Sequence, residues 1–370
     1  MTRAARPASP ATSLLSNRSF GLMVCGQFLS YFAVWTSNIV LLHTVYDRTG
    51  SALGPGLLLV TQFLPAFFLM PVISSILDRF DRRHVIVAVN VCNGGLALVL
   101  LVWSSTLPVG WFFAIYLLYS ASITTFIVAN MALLPQVVEP VHLTRANVFL
   151  MAIPSLMLVC SGAIFIGQPL GNLHQPGEML LVAVLFCASA IVFGRIGRLR
   201  TGSDRTRQHS CQGLLGDFLT GLGYLVRDRP LAWVFVIRMA IYLGVGAQVL
   251  LALYSEEVFG LGEAGIGLLY LARGVGLLIG GAGLAQLLLT KGLPSVHAIG
   301  VGLALFGFGY LAASAVPGFG IAAVAMALGV GFLGEGLLKP VTTALLQQRA
   351  DPEYLARVMA AEQGLSAVVQ

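Results

Sequence analysis

Stretches of about 20 consecutive apolar residues recur along this chain, and no other feature narrows its fold as far. A helix rises 1.5 Å per residue, so such a stretch crosses roughly 30 Å of hydrocarbon. Ten are read, at 20–44, 55–77, 85–106, 109–133, 147–171, 179–196, 230–253, 264–289, 294–315 and 318–340. A backbone in lipid must satisfy its own hydrogen bonds, which leaves helices or closed barrels. Barrel strands alternate apolar and polar residues, and these runs do not. The chain is therefore predicted to be an all-α integral membrane protein. Composition agrees: 57% of its 370 residues are hydrophobic and 10% charged, and the mean hydropathy is +0.88. A soluble domain carries roughly a quarter charged residues. A disulfide scaffold is excluded, because the five cysteines are scattered and Cys25, Cys92, Cys160 and Cys187 fall inside apolar runs.

The net charge of +6 points to a membrane surface rather than to nucleic acid, because basic residues crowd the short connections between runs. With the N-terminus inside, 17 of the 21 Lys and Arg fall on the inner side and Arg48 alone outside; Arg238, Arg273 and Lys339 lie within spans. That bias predicts a multi-pass protein of the cytoplasmic membrane with a cytoplasmic N-terminus. Arg3, Arg6 and Arg18 precede the first run without a small-residue cleavage site, so the run reads as a retained helix rather than a signal peptide. Trp103 and Trp111 flank a short outer turn, where amphipathic rings favour the interface. The longest polar interval, 197–229, opens with RLRTGSDRTRQHS and continues as an amphipathic segment with Leu214, Leu215, Phe218, Leu222 and Leu225 at helical spacing. It reads equally as a surface helix or a plain linker. Either way it divides the chain into a six-helix bundle over 1–200, a linker over 201–228 and an incomplete second bundle over 229–370. Aligning Gly56 with Gly267 sets Pro65 against Gly276, a weak parallel repeat of the kind found in two-bundle transporters.

The inner loop after the second run reads SSILDRFDRRHVIV. Here the chain resembles the major facilitator superfamily, whose corresponding loop reads G-x-x-x-D-R-x-G-R-R. Ser74 and Asp81 replace its two glycines. GQFLSYFAVW, TGSALGPGL, FLPAFFLMP, ALLPQVV, LTRAN, LYLARGVGLLIG and LLQQRADPEYLARV are similar to the branch that holds the enterobactin exporter and macrolide-efflux proteins. The resemblance, spread over about residues 17–365, implies two pseudo-symmetric bundles that alternate access to a central site. It implies a gating loop of Asp78, Arg79, Asp81, Arg82 and Arg83, in which Asp78 rests against the N-terminus of helix eleven and the three arginines pair with neighbouring carboxylates. GAIFIGQPLGN in the fifth run is similar to an antiporter motif through Gly162, Gly167, Pro169 and Gly171; close packing and bending explain these residues equally. Family members have twelve spans, so the tail from Arg349 reads as the start of helix eleven, with the remainder of helices eleven and twelve truncated.

Ionisable residues inside spans are expensive and are functional hypotheses by default. Arg238 and Arg273 each lie roughly 12 Å deep by helical rise, placed to attract an anionic substrate group or to pair with a carboxylate. Glu335 is read as the one carboxylate inside a span, four residues before Lys339 in the favourable order for an ion pair. These four residues are the substrate or proton candidates. The family's acidic residue in helix one and its Arg in helix four have no counterpart, so proton coupling would fall to Glu335 or to His43, or coupling differs from the family's. His43 is otherwise read as interfacial.

Gly329, Gly331 and Gly334 spell the dinucleotide fingerprint GxGxxG, but inside an apolar run, where it reads as helix packing. Asn17-Arg18-Ser19 is a glycosylation sequon on the wrong side of the membrane. No nucleophile elbow, phosphate loop or metal-binding spacing occurs. The expected protein is not an enzyme and holds no metal or cofactor. It is a monomeric, proton-coupled exporter of a small amphipathic compound, a drug or siderophore, whose partners are that molecule and the lipid bilayer. An importer of the same fold and a non-transporting scaffold or sensor are the alternatives.

Overall fold

The computed structural model describes residues 17–51, 53–69, 73, 76–77, 79–103, 106, 108–139, 143–166, 175–197, 222–224, 227–246, 251, 254–285, 287–288, 294–349, 358, 362 and 365. Among the described residues, ten long helices stand at the ten apolar runs: α1 Arg18–Thr49, α2 Leu53–Phe68, α3 Arg82–Trp103, α4 Val109–Val137, α5 Leu143–Ile166, α6 Gln175–Gly194, α7 Arg229–Gly246, α8 Gly262–Leu278, α9 Ser295–Ala315 and α10 Ile321–Arg349. Among the described residues eight are long and apolar enough to cross a membrane, not the ten expected. The other two are α2, of 16 residues, and α7, of 18.

Local chemistry sets the helix ends. The Asn17 side chain accepts from the backbone N–H groups of Ser19 and Phe20 at 3.0 and 3.3 Å, which caps α1. Its amide donates to the Val137 carbonyl at 3.0 Å, tying the start of α1 to the end of α4. The apparent sequon residue is thus a cap. Gly50 closes α1 at φ 58°, a left-handed conformation that glycine adopts without penalty.

Helices α1 to α6 pack together and are joined by buried polar contacts. Ser30 bonds Asn90 at 2.8 Å and Ser189 at 2.7 Å, and Thr36 meets Ser161 at 3.0 Å. In lipid, where apolar surface gains little from leaving hydrocarbon, small residues and such hydrogen bonds hold helices together. Helices α7 to α10 form the second group, with α10 packed on α7, α8 and α9. Its glycines face two ways. A Cβ on Gly331 or Gly334 would meet α9 at Tyr310 or Phe306, and one on Gly336 would meet Leu277 of α8. The GxGxxG run is a packing surface. Leu53, Val296, Leu311, Phe319 and Met326 are exposed, as lipid-facing side chains should be.

The two groups meet most closely where α5 crosses α8. A Cβ on Gly267 would strike Phe165 and the Gly162 carbonyl, and one on Gly274 would strike Val159 and the Ser155 carbonyl. Small residues at these positions let the backbones touch, and they set the spacing of the site between the groups.

Candidate functional site

Arg273 sits on the fourth turn of α8 and is buried. Its Cζ lies 5.9 Å from the Trp35 ring centroid on α1 and 5.6 Å from that of Phe332 on α10. The rings stabilise the cation through their negative faces, but they cannot satisfy its directional donors. Nε and Nη1 are buried with no hydrogen-bond partner. An unmade bond from a charged donor is costly away from water, so the guanidinium is arranged for an acceptor that arrives from elsewhere. The walls around it are fixed. Trp35 Nε1 donates to the Pro154 carbonyl of α5 at 2.9 Å, and Tyr270, one turn before Arg273, packs on Trp35 at 6.1 Å between centroids. Tyr310 packs on Phe332 at 6.1 Å and donates to the Gly244 carbonyl of α7 at 3.0 Å. Aromatic rings from both helix groups therefore enclose one unsatisfied cation.

Glu335 stands one turn beyond Phe332 and is fully buried. Lys339 Nζ lies 2.7 Å from its Oε1, the i,i+4 pair expected from the sequence, and the Lys339 side chain is 40% exposed. Apart from that ion pair neither carboxylate oxygen has a hydrogen-bond partner. Arg273 acts on Glu335 electrostatically without closing an ion pair among the described residues. The site thus holds a second buried charge, whose counter-ion is partly exposed.

Arg238 differs, although its depth in the sequence is the same. Nε donates to Glu362 at 2.8 Å, Nη1 to the Thr342 and Thr343 hydroxyls at 3.0 and 2.7 Å, and Nη2 to the Tyr242 hydroxyl at 3.1 Å. Its donors are engaged, and they tie α7 to α10 and to the tail. Of the expected substrate candidates, the structure brings Arg273, Glu335 and Lys339 together and sets Arg238 apart.

In the loop before α3, Asp78 lies outside the described residues, and Arg79 is exposed. Arg82 and Arg83 donate to the Ala132 carbonyl, at 3.2 Å, and the Ile196 carbonyl, at 2.5 Å. Among the described residues these two side chains meet backbone carbonyls, and the pairing with carboxylates implied by the resemblance is not seen there. Asp81 accepts from the Arg83 backbone N–H at 2.9 Å, an N-terminal cap for α3. Gly162 lies at the α5–α8 crossing; Gly167, Pro169 and Gly171 lie outside the described residues, as does most of the 201–228 linker.

The sequence matches the Major Facilitator Superfamily over residues 23–369. This chain is a member of that superfamily. It is 25% identical to macrolide efflux protein A of Streptococcus pyogenes over 355 residues, 89% of this chain and 84% of that protein. It is 26% identical to the protein of the same name from Enterococcus faecalis over 310 residues, 80% and 91% of the two chains. Its fold is similar to crystal structures of a nucleoside transporter (TM-score 0.68, 11% identity, 94% of this chain and 87% of that one) and of a D-xylose–proton symporter (0.64, 14%, 96% and 89%). An auto-inhibited peptide transporter is similar at 0.70, with 14% identity over 95% and 86% of the chains. As a superfamily member, the protein is a multi-pass membrane transporter rather than an enzyme.

One sequence reading needs correcting within that superfamily fold. Glu335 is not the sole carboxylate inside a span, because the apolar helices extend to include Glu178, in 177–194, and Glu263, in 262–285. The runs read at 179–196 and 264–289 begin immediately after these acids. His43 Nδ1 lies 2.6 Å from Glu256 Oε1, across the two helix groups, a contact that the sequence does not signal. Trp35 and Phe332 were visible in the sequence as apolar residues and carried no separate signal.

Proposed function

We propose that the protein is a secondary active exporter of a small amphipathic compound, a drug or siderophore, coupled to protons and working by alternating access. The N-terminal bundle is assigned to 1–200, the linker to 201–228 and the second bundle to 229–370. The protein sits as a monomer in the cytoplasmic membrane with its N-terminus inside, which is the orientation favoured by the basic residues. The observation that carries the reading is Arg273, a buried cation with free donors held between Trp35 of one bundle and Phe332 of the other. An amphipathic substrate would lay apolar surface on these rings and Tyr270 while an acceptor oxygen reached Nε and Nη1. Because the walls belong to different bundles, rocking one against the other would dismantle the site and release its occupant.

Glu335 is assigned the proton. When it is protonated Lys339 is left without a partner, so the proton and the ion pair exclude each other, as a coupling residue requires. The Asp78–Arg83 loop is assigned to closing the inner side. Export, rather than import, is favoured by the macrolide efflux proteins among the relatives.

The test is accumulation of dyes, antibiotics and labelled siderophores in cells lacking their own exporters, with and without a protonophore. Lower accumulation that the protonophore abolishes is the expected result. Equal accumulation for every compound, with the protein correctly inserted, would sink the proposal.

A further inference from the structure

Separate segments of the chain meet at the end of α1 far from the N-terminus and bring their acids onto one imidazole. His43 Nδ1 faces Glu256 Oε1 at 2.6 Å, while Nε2 faces Asp47 Oδ2 at 3.3 Å and Glu263 Oε1 at 3.9 Å. His43 and Asp47 stand four residues apart on α1 and so share a face. Glu256 precedes α8, and Glu263 lies in its first turn. Ligand atoms of His43, Asp47 and Glu256 all lie within 4.8 Å of one another. No spacing in the sequence announces this set, because its members come from both helix groups.

The donor atoms suit a metal cation. With Nδ1 donating to Glu256, the Nε2 lone pair is left toward Asp47 and Glu263. A histidine that binds metal through one ring nitrogen characteristically donates from the other to a carboxylate, which fixes the ring. Ligand atoms about 2.1 Å from one ion stand roughly 3–4 Å from each other, and both gaps at Nε2 are of that size. Charge points the same way. Glu178 of α6 comes against Glu263; it is 1% exposed, and its Oε2 has no hydrogen-bond partner. A buried acceptor left over beside other carboxyl groups is costly unless positive charge reaches it. Glu257 accepts from Tyr46 at 3.3 Å, and Arg48 lies over the Phe112 ring at 5.0 Å. The Asp47 side chain is 50% exposed, which gives an ion a way in from water.

We propose that this is a divalent-cation site between the two helix groups. His43 Nε2, Asp47 and Glu263 hold the ion, Glu256 orients the ring through Nδ1, and Glu178 adds negative charge behind Glu263. One imidazole among carboxylates suits Mn²⁺ or Zn²⁺ better than Mg²⁺ or Ca²⁺, which take oxygen ligands. Because α1 and α8 each supply ligands, the bound ion pins the groups together at this end. The site is separate from Arg273 and Glu335, and nothing in it depends on what the protein exports.

The test uses the full chain, purified without a histidine tag and reconstituted in lipid nanodiscs. Bound Mn²⁺ is counted from the loss of the free-ion EPR signal at neutral pH. One saturable Mn²⁺ per chain is expected, displaced by Zn²⁺. Asp47→Asn and Glu263→Gln should each weaken binding at least about tenfold, and Glu256→Gln, which loosens the ring, by about tenfold. Glu257→Gln removes the same charge without removing a ligand and should bind within twofold of wild type. Melting temperatures without metal show that each variant is folded; Asp47 is half exposed, so its change spares the core. The bridge is read separately, in a chain whose native cysteines are replaced and which carries spin labels at Thr106→Cys and Phe319→Cys. Both positions are exposed, one in each helix group. Zn²⁺ should raise the population of the shorter distance in the otherwise wild-type chain and not with Glu263→Gln. Absence of saturable Mn²⁺ binding would overturn the site, as would equal losses in Glu257→Gln and Asp47→Asn. Bound Zn²⁺ with an unchanged label distance would overturn the bridge. Export by a protein that binds no cation would sink this inference alone. A cation site in a protein exporting nothing would sink the transport reading alone.

Discussion

Arg238 and Arg273 are the same residue type at the same expected depth in the membrane, and they have opposite surroundings. Arg238 spends its donors on Glu362, Thr342, Thr343 and Tyr242, all in its own half of the molecule. Arg273 has aromatic faces from both halves and two donors left over. A mid-membrane charge alone therefore does not mark a binding site. What distinguishes the proposed site is a buried charge with unsatisfied donors whose walls come from both helix groups. Saturation inside one bundle marks a structural brace.

The comparison breaks most readily at the brace. Arg238→Leu leaves Glu362 buried without its counter-ion, and losing one partner of a buried pair costs about 3–5 kcal/mol. A large fall in thermal stability in detergent is expected, with little residual folded protein. If stability is unchanged, Arg238 is not a brace and the contrast fails. Leu in place of Arg273 should do the reverse. It removes an unsatisfied buried charge, so the melting temperature should hold or rise, while export falls at least about tenfold, the equivalent of about 1.4 kcal/mol. Unimpaired export would place the substrate elsewhere.

A smaller effect tests the spacing of the site. Ala at Gly274 puts a Cβ against Val159 and the Ser155 carbonyl and should push α5 from α8, costing about 1–3 kcal/mol by overpacking. The loss should show in apparent substrate affinity as well as in stability; loss of stability alone would separate the crossing from the site. The smallest effect is expected from Trp35→Phe, which keeps a ring over Arg273 but deletes the bond to Pro154. About 1 kcal/mol is at stake, readable as a severalfold weaker affinity. An affinity unchanged within error would mean that the indole N–H does not position this wall.

Much of this was legible in the sequence because it is local. Ten apolar runs gave ten helices, and the four-residue spacing of Glu335 and Lys339 gave their ion pair. What stayed hidden depends on distant parts of the chain. Glu362 lies 124 residues from Arg238, and Glu256 lies 213 from His43; no periodicity links such pairs. Glu178 and Glu263 were lost differently. A carboxyl group at a helix end lowers local hydropathy and so pushes the apparent boundary of the span past itself. Trp35 and Phe332 could not be told from any other ring in an apolar run, since their role exists only where both bundles face Arg273.

The central claim is that substrate binds between the bundles at Arg273. Its most direct test is equilibrium binding of an exported compound to purified wild type, Arg273→Leu and Arg273→Lys, each shown to be folded by its melting temperature. At least about tenfold weaker binding for Leu is expected, with Lys between the two, because an ammonium keeps the charge but loses the planar donors. Affinities within twofold across the three proteins would contradict the claim.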